Sequence, residues 1–508
     1  MSIQDAVLRA LPVLPGAGRR LPGAGRRQHR VARGRVRQPG LPGACRQLPG
    51  AGRRLPAARP AGTRRVRTVL VGALAPALLV AAGCSASPAG SPTPAAPGST
   101  AASASPVPGA TSGVGTPAAP TPVELVADGA PTTITLGVVV SPGAPEAEGS
   151  TWVGPAQGAA VAAYRYRLGG TTVTLVAADD HGTAEGAQAA VEQLAAQSVS
   201  GIVLATGGSH VQAALSAAAS HSVPVLMPYE TSNELVAGGS GAWLTGLTRN
   251  RTAIALAKAL KDVGSAAPLL IDAGGANPTE VAPAQVLTYT DGQDTAELVA
   301  AVTTAASSQA VDAVLVSGPA HAQATVVHAL QGTGTTLPIV LTPEALSPAF
   351  PAALAEAGGS LSTPLTTVGV ADHDPSALTP TEDGAALSAY LAAVRIMSED
   401  PAAVDILDGQ PFGDAAAGGA DVASHDAVVA LVRAAAQAGS TDPAAVGRAL
   451  ATLRLDHGDG LAGGDLDLTG YVALSTDAVV TLVSTNQDPG LRAASKAHPL
   501  LYWFTPKG

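Results

Sequence analysis

GIVLATGGSHVQAALSAAASHSVPVLM, residues Gly201 to Met227, reads as strand, glycine turn, helix and strand in immediate succession. Gly201 to Ala205 is a short continuous apolar run, Val211 to Ser220 is an alanine-rich helical stretch, and Val223 to Met227 is a second apolar run. Strands that are apolar throughout, with no alternation, belong to sheets buried on both faces, and the helix between two of them is the crossover of a parallel pair. The same rhythm starts upstream. Strands are predicted at Ile134 to Val140 and Thr172 to Ala178, with helices from about Gly154 to Arg167 and from Ala184 to Gln197. Downstream, an Ala/Leu-rich linking helix near Arg251 to Val263 leads into a second series, with strands at Pro268 to Ile271, Gln285 to Tyr289, Ala313 to Ser317 and Pro338 to Leu341. Helices Ala296 to Ser307 and Ala322 to Leu330 separate the last three.

The expected fold class is therefore α/β: two Rossmann-like lobes, each a parallel sheet covered by helices, joined by hinge crossovers. One lobe is assigned residues 123–247 plus about 371–455, and the other about 248–370 plus 456–508. Ligands of open parallel sheets bind at the carboxyl ends of the strands, so the candidate site lies between the lobes.

The 508 residues are 46% apolar, 3% aromatic and 13% charged, which suits Ala-rich helices on Val/Leu strands. The net charge of −9 hides two regions. Sixteen of the 29 basic residues are arginines at or before Arg67, where Asp5 is the only acid, leaving 13 basic against 37 acidic residues afterwards. So acidic a body excludes nucleic acid as a partner.

Residues 1–63 repeat Leu-Pro-Gly-Ala-Gly-Arg-Arg, at Leu14 to Arg20, Leu21 to Arg27 and Leu48 to Arg54, with neither helical nor strand periodicity. This is a disordered basic segment, or one upstream of the true start of translation. Residues 64–84 carry Arg64, Arg65 and Arg67, an apolar run from Val69 to Ala82, and Ala81-Ala82-Gly83-Cys84, which resembles a lipobox. The Cys84 thiol would accept a diacylglyceryl group and become the anchored N-terminus. The apolar run is too short for a relaxed membrane span. Residues 85–122, nearly all Ser, Pro, Ala, Gly and Thr, form a spacer. With Cys45 and Cys84 both upstream, the globular part has no disulfide and no cysteine-based metal site.

Gly207-Gly208-Ser209-His210, the alanine-rich helix, Val223-Pro224-Val225-Leu226-Met227-Pro228 and Thr231-Ser232-Asn233-Glu234-Leu235 together resemble the branched-chain amino-acid (Leu/Ile/Val) binding proteins of ABC importers, type-I periplasmic binding proteins of the Venus-flytrap kind. The resemblance continues through Leu136-Gly137-Val138, Asp179-Asp180, Pro343-Glu344 and Ala438 to Pro443. It implies that Ser209, at a helix N-terminus, and Thr231 hold a ligand carboxylate, and that Glu344 receives the ligand ammonium. A plain N-cap, a turn residue and a solvated loop glutamate are the respective alternatives. The loop Asp272 to Pro278 lacks the family's aromatic residue and its following helix, and Pro319-Ala320-His321 replaces tyrosines. Tyr229, Trp152 and His321 are the other candidates to line the cleft.

The resemblance further implies a monomer on the extracytoplasmic face of the membrane, partnered by a small-molecule ligand and an ABC permease, with no cofactor. Asp179, Asp180 and His181 come without a nucleophile pattern, so no enzyme is expected. Asp456, Asp459, Asp465 and Asp467 lack calcium-loop spacing and read as a surface turn before a strand at Tyr471 to Leu474. Gly207-Gly208 lacks dinucleotide spacing. A ligand sensor, or an envelope protein that kept the fold and lost the pocket, are the competing readings.

Overall fold

A computed structural model describes residues 119–239, 241–275, 277–493 and 501–506. The basic segment, the signal, Cys84 and most of the spacer lie outside the described residues.

The first lobe is built from β1 (Thr133–Val140), α1 (Gly158–Leu168), β2 (Thr172–Asp179), α2 (Ala184–Ala196), β3 (Ile202–Leu204), α3 (Val211–Ser220), β4 (Val225–Met227) and β5 (Ala242–Leu244). Its sheet runs β2-β1-β3-β4-β5, with every pairing parallel. β5, three residues among glycines, is too short to leave a pattern in the sequence.

The second lobe follows with α4 (Arg249–Asp262), β6 (Pro268–Asp272), β7 (Gln285–Thr288), α5 (Thr295–Ser307), β8 (Ala313–Ser317), α6 (Ala320–Gln331), β9 (Ile339–Leu341), α7 (Ala349–Glu356) and β10 (Thr366–Val370). The chain then returns to the first lobe for α8 (Glu382–Glu399), α9 (Gly413–Gly419), α10 (Val422–Ala438), α11 (Pro443–Leu450) and a small hairpin of β11 (Arg454–Leu455) and β12 (Leu466–Asp467). It ends in β13 (Val479–Thr485) and β14 (Tyr502–Phe504), which add antiparallel to the second sheet, giving β14-β13-β10-β9-β8-β6-β7.

The inner strands of both sheets are buried on both faces, as their unbroken apolar runs require. In the first lobe, residues of α1, α10 and α11 pack on one face and those of α2 and α3 on the other. In the second, α5, α6 and α7 cover one face and α4 the other. β6 and β7 are joined by residues 273–284 without a helix among the described residues, and they still pair in parallel. Lacking that helix, edge strand β7 leaves Val286 51% exposed.

Two expectations need correction. Residues 456–475 do not belong to the second lobe, because Leu461, Leu466, Leu468, Ala473 and Leu474 are buried in the first core. The strand expected at Tyr471 to Leu474 is reduced to single bridges from Val472 to Leu244 and from Leu474 to Leu466, since no continuous neighbour runs beside it. Asp456 accepts from Gly458 N–H at 2.7 Å and caps a short turn over His457–Asp459.

On α1, Arg165 is almost fully buried. Its Nε donates to Val123 O at 2.7 Å, its Nη2 to Pro122 O at 3.3 Å, and its Nη1 lies 3.0 Å from His425 Nε2. Leu125 N–H adds a bond to Arg165 O at 3.0 Å.

Candidate functional site

Between the lobes lies a cavity of about 380 Å³. Its walls come from segments that begin where strands end: Thr231 after β4, Arg249 after β5, Asn277 and Pro278 after β6, Ser317 at the end of β8, Thr342 to Pro348 after β9, and Asp372 to Asp374 after β10. Strand ends that converge on a crevice are the expected ligand position of this architecture. Trp152, Tyr229, Thr231 and Glu344, all singled out from the sequence, line it; Ser209 and His321 do not.

One wall is aromatic. Trp152 and Tyr229 stack with ring centroids 4.5 Å apart and planes 3° from parallel. The Tyr229 hydroxyl donates to Asp421 Oδ1 at 2.8 Å, and the same oxygen caps α10 by accepting from Ser424 N–H and Oγ–H. Tyr502 and Trp503 from β14 also face the cavity.

The charged lining is acidic. Glu344 follows β9 in a turn opened by Pro343, and its Oε2 is sealed from solvent without a hydrogen-bond partner among the described residues. Burial pushes its carboxyl above the usual range, only partly opposed by Thr342. Burial likewise raises Asp372 and Asp421, each to about 7. His373, with Nε2 at 3.9 Å from Asp372, is pushed down by burial to about 4 and is neutral near pH 7. The buried cation, Arg492, is committed. It forms three contacts of 2.8 to 3.0 Å with Asp374, and its Nη1 donates to Ala417 O and Ala420 O at 2.7 Å. Arg249 stands exposed at the rim.

The carboxylate role expected of Ser209 is already taken from within the chain. Ser209 N–H donates to Glu148 Oε2 and its hydroxyl to Oε1, each at 2.9 Å, while His210 Nδ1 lies 2.8 Å from Oε2. Nor is Ser209 a plain N-cap: the cap position of α3 is His210, and no side chain caps the helix. Gly149 makes this approach feasible. Its φ is 97°, and a Cβ there would come within 1.9 Å of Thr206 Oγ1, so only glycine lets the turn press against the start of α3. His210 is fully enclosed and also meets Asp180 Oδ2 at 2.9 Å. Burial works against its protonation, but the hydrogen bonds to Asp180 and Glu148 outweigh it and raise its pKa. Burial likewise works against the Glu148 charge, yet His210 and Ser209 prevail and lower its pKa. A second internal carboxylate, Glu230, accepts from Thr231 and Ser232 N–H at 2.8 Å and from Gly208 N–H at 3.3 Å.

His321 binds Glu146, which opens the short turn that ends at Glu148. Its Nδ1 lies 2.8 Å from Glu146 Oε2, its N–H donates to that oxygen at 3.2 Å, and Nε2 is 3.3 Å from Asp291. Glu146 belongs to the first lobe and His321 opens α6 of the second, so the expected lining residue is instead a bridge across the cleft. Sequence reasoning missed Glu146, Glu148, Asp372, Asp421 and Arg492. Asp421 was legible only as a helix cap, from Asp421-Val422-Ala423-Ser424.

Strand ends from one parallel and one largely parallel sheet meeting at one cavity define a two-lobed α/β protein with an interlobar crevice. Solved structures share that architecture. One is the branched-chain amino acid transporter substrate-binding protein LivJ from Streptococcus pneumoniae in complex with isoleucine, similar at 15% identity and a TM-score of 0.53 over 70% of this chain and 96% of that one. Another is a leucine-binding protein, LivK, from Thermotoga maritima, at 16% identity and 0.52 over 73% and 99%. A periplasmic binding protein type 1 from Bordetella pertussis matches at 16% and 0.52 over 70% and 98%. The chain thus has the type-I periplasmic-binding-protein fold. No family model matches it, and no curated protein matches it. Among the described residues no helix is long and apolar enough to cross a membrane, and no group of His, Cys, Asp and Glu is placed to hold a metal ion.

Proposed function

We propose that this chain is an extracytoplasmic solute-binding protein of an ABC importer, anchored by a lipid on Cys84, which captures a small polar solute between its lobes and performs no chemistry on it. The observation that carries this reading is the cavity of about 380 Å³ at the converging strand ends of both sheets. Its size suits a ligand of amino-acid dimensions or somewhat larger. The lobes hinge about the segments after β5, after β10 and after residue 475, and solute favours the closed arrangement by contacting both walls at once. A membrane permease then reads closure.

A thermal-shift screen of amino acids, amides, short peptides and sugars tests it. A ligand at 100 times its dissociation constant adds about 2.7 kcal/mol to stability. A shift with one chemical class, abolished by Thr231→Ala or Glu344→Ala, supports the reading. Silence across the whole set from a folded sample refutes it in favour of a fold that has lost its pocket.

A further inference from the structure

On the reading that the interlobar cavity is a solute site, we infer that its ligand is an organic cation without a free carboxylate: an amine or amino-acid amide whose ammonium lies against Glu344, in a lining that also holds Asp372 and Asp421, and whose carbon body lies on the Trp152–Tyr229 wall.

Two sets of observations meet here. The first concerns the groups that would receive an anion. The backbone and hydroxyl donors at the start of α3 are spent on Glu148, and the N–H groups of Gly208, Thr231 and Ser232 on Glu230. Arg492 is saturated by Asp374 and two carbonyls, and Arg249, the other cation of the lining, is exposed to solvent. An incoming carboxylate therefore meets no uncommitted buried cation in the described lining, where the exposed Arg249 and neutral hydroxyls such as that of Thr231 are what it could reach.

The second set concerns what the cavity offers. Glu344 Oε2 is buried, has no donor among the described residues and belongs to the lining, so it lacks the partner that a buried carboxylate oxygen requires. Among the described residues the Asp421 carboxylate accepts only from neutral donors, the Tyr229 hydroxyl and the Ser424 N–H and hydroxyl. Asp372 has beside it a neutral imidazole at 3.9 Å. An ammonium brings three donors and a positive charge to so acidic a lining. The stacked indole and phenol rings present a flat π surface of the kind that attracts cations and apolar chains alike. The raised pKa values of the three carboxyls agree, since burial is the leading cause at each.

Isothermal titration calorimetry on the full chain at pH 7.5 separates the outcomes, with leucinamide, putrescine, leucine and 4-methylpentanoate as probes. The expected result is that leucinamide or putrescine binds at least tenfold tighter than leucine, that 4-methylpentanoate gives no heat, and that Glu344→Gln weakens the cation at least tenfold. Asp372→Asn provides a second variant should Glu344→Gln lose its cooperative melt. Leucine binding as tightly as leucinamide overturns the inference and leaves the solute-binding reading standing. So does 4-methylpentanoate alone binding. Failure of all four, together with silence in the wider thermal-shift screen, overturns both.

Discussion

Replacing Glu148 by alanine should uncover an anion site that the wild-type chain keeps filled. The carboxylate makes two bonds of 2.9 Å to Ser209 and one of 2.8 Å to the enclosed His210. Hydrogen bonds to a charged group contribute about 1.5–3 kcal/mol each when buried, but the Glu148 side chain is 26% exposed and the Ser209 contacts are solvated. Allowing for that screening, the three together stabilise by about 2 kcal/mol, so Glu148→Ala should lower the melting temperature by roughly 4–8 °C at the 2–4 °C per kcal/mol of a 150–250-residue domain, and by less in a fold as large as this one. Acetate should then restore the loss. At ten times its dissociation constant it returns about 1.4 kcal/mol to the variant by mass action, and nothing to wild type, where the donors are occupied. Differential scanning fluorimetry across an acetate series, with sodium chloride at matched ionic strength, reads this directly. An unchanged melting temperature in the variant, or equal acetate shifts in both proteins, would refute the assignment of Glu148 as the occupant.

Other consequences follow from the acidic cavity and its single buried cation. Arg492→Met should destabilise by about 3–5 kcal/mol because Asp374 is left buried without its partner, and adding Asp374→Asn should recover part of that loss in urea unfolding. Asp372 has its pKa raised from 3.8 to about 7, so the folded state retains a proton there that the unfolded chain has released. Stability contributed by this group therefore falls as pH rises from about 4 to about 7. The groups around it are Asp426, Asp374, Asp421, His373 and Arg492; His373, lowered from 6.5 to about 4, acts in the opposite sense between those two values. Asp372→Asn should flatten the decline in melting temperature between pH 5 and pH 7, and an unaltered slope would count against it. His321 should hold the cleft bridge more firmly at pH 6 than at pH 8, because burial opposes its protonation but Glu146 and Asp291 prevail and raise its pKa above 6.5. Small-angle scattering of the unliganded protein at the two pH values, against His321→Ala, checks this.

Most of the scaffold was legible because it rests on local pattern. The helix at Val211–Ser220 and the strand at Ala313–Ser317 have the bounds their apolar runs suggest. β10, Thr366–Val370, escaped notice because a threonine pair and a glycine dilute its apolar content, and its burial comes from neighbours β9 and β13. The candidate site divides along the same line. Trp152, Tyr229, Thr231 and Glu344 face the cavity because each lies in a loop next to a strand end or helix start that the sequence marked. Ser209 and His321 do not, because Glu148 and Glu146 reach them across 61 and 175 residues of chain, and no local periodicity encodes such a pairing. Arg492 was hidden for the same reason, its partner Asp374 lying 118 positions away.

The Arg165 clamp has a mechanical consequence. A load drawn through the segment upstream of Pro122 would meet the fold at the buried guanidinium of α1 before it reached β1. Three bonds, to Pro122, Val123 and Leu125, share that load side by side with the packing of Leu125 in the first core. β1, held between β2 and β3, is thereby spared the first share of the pull. Single-molecule pulling from the N-terminal side should yield at a lower force in Arg165→Met than in the parent chain.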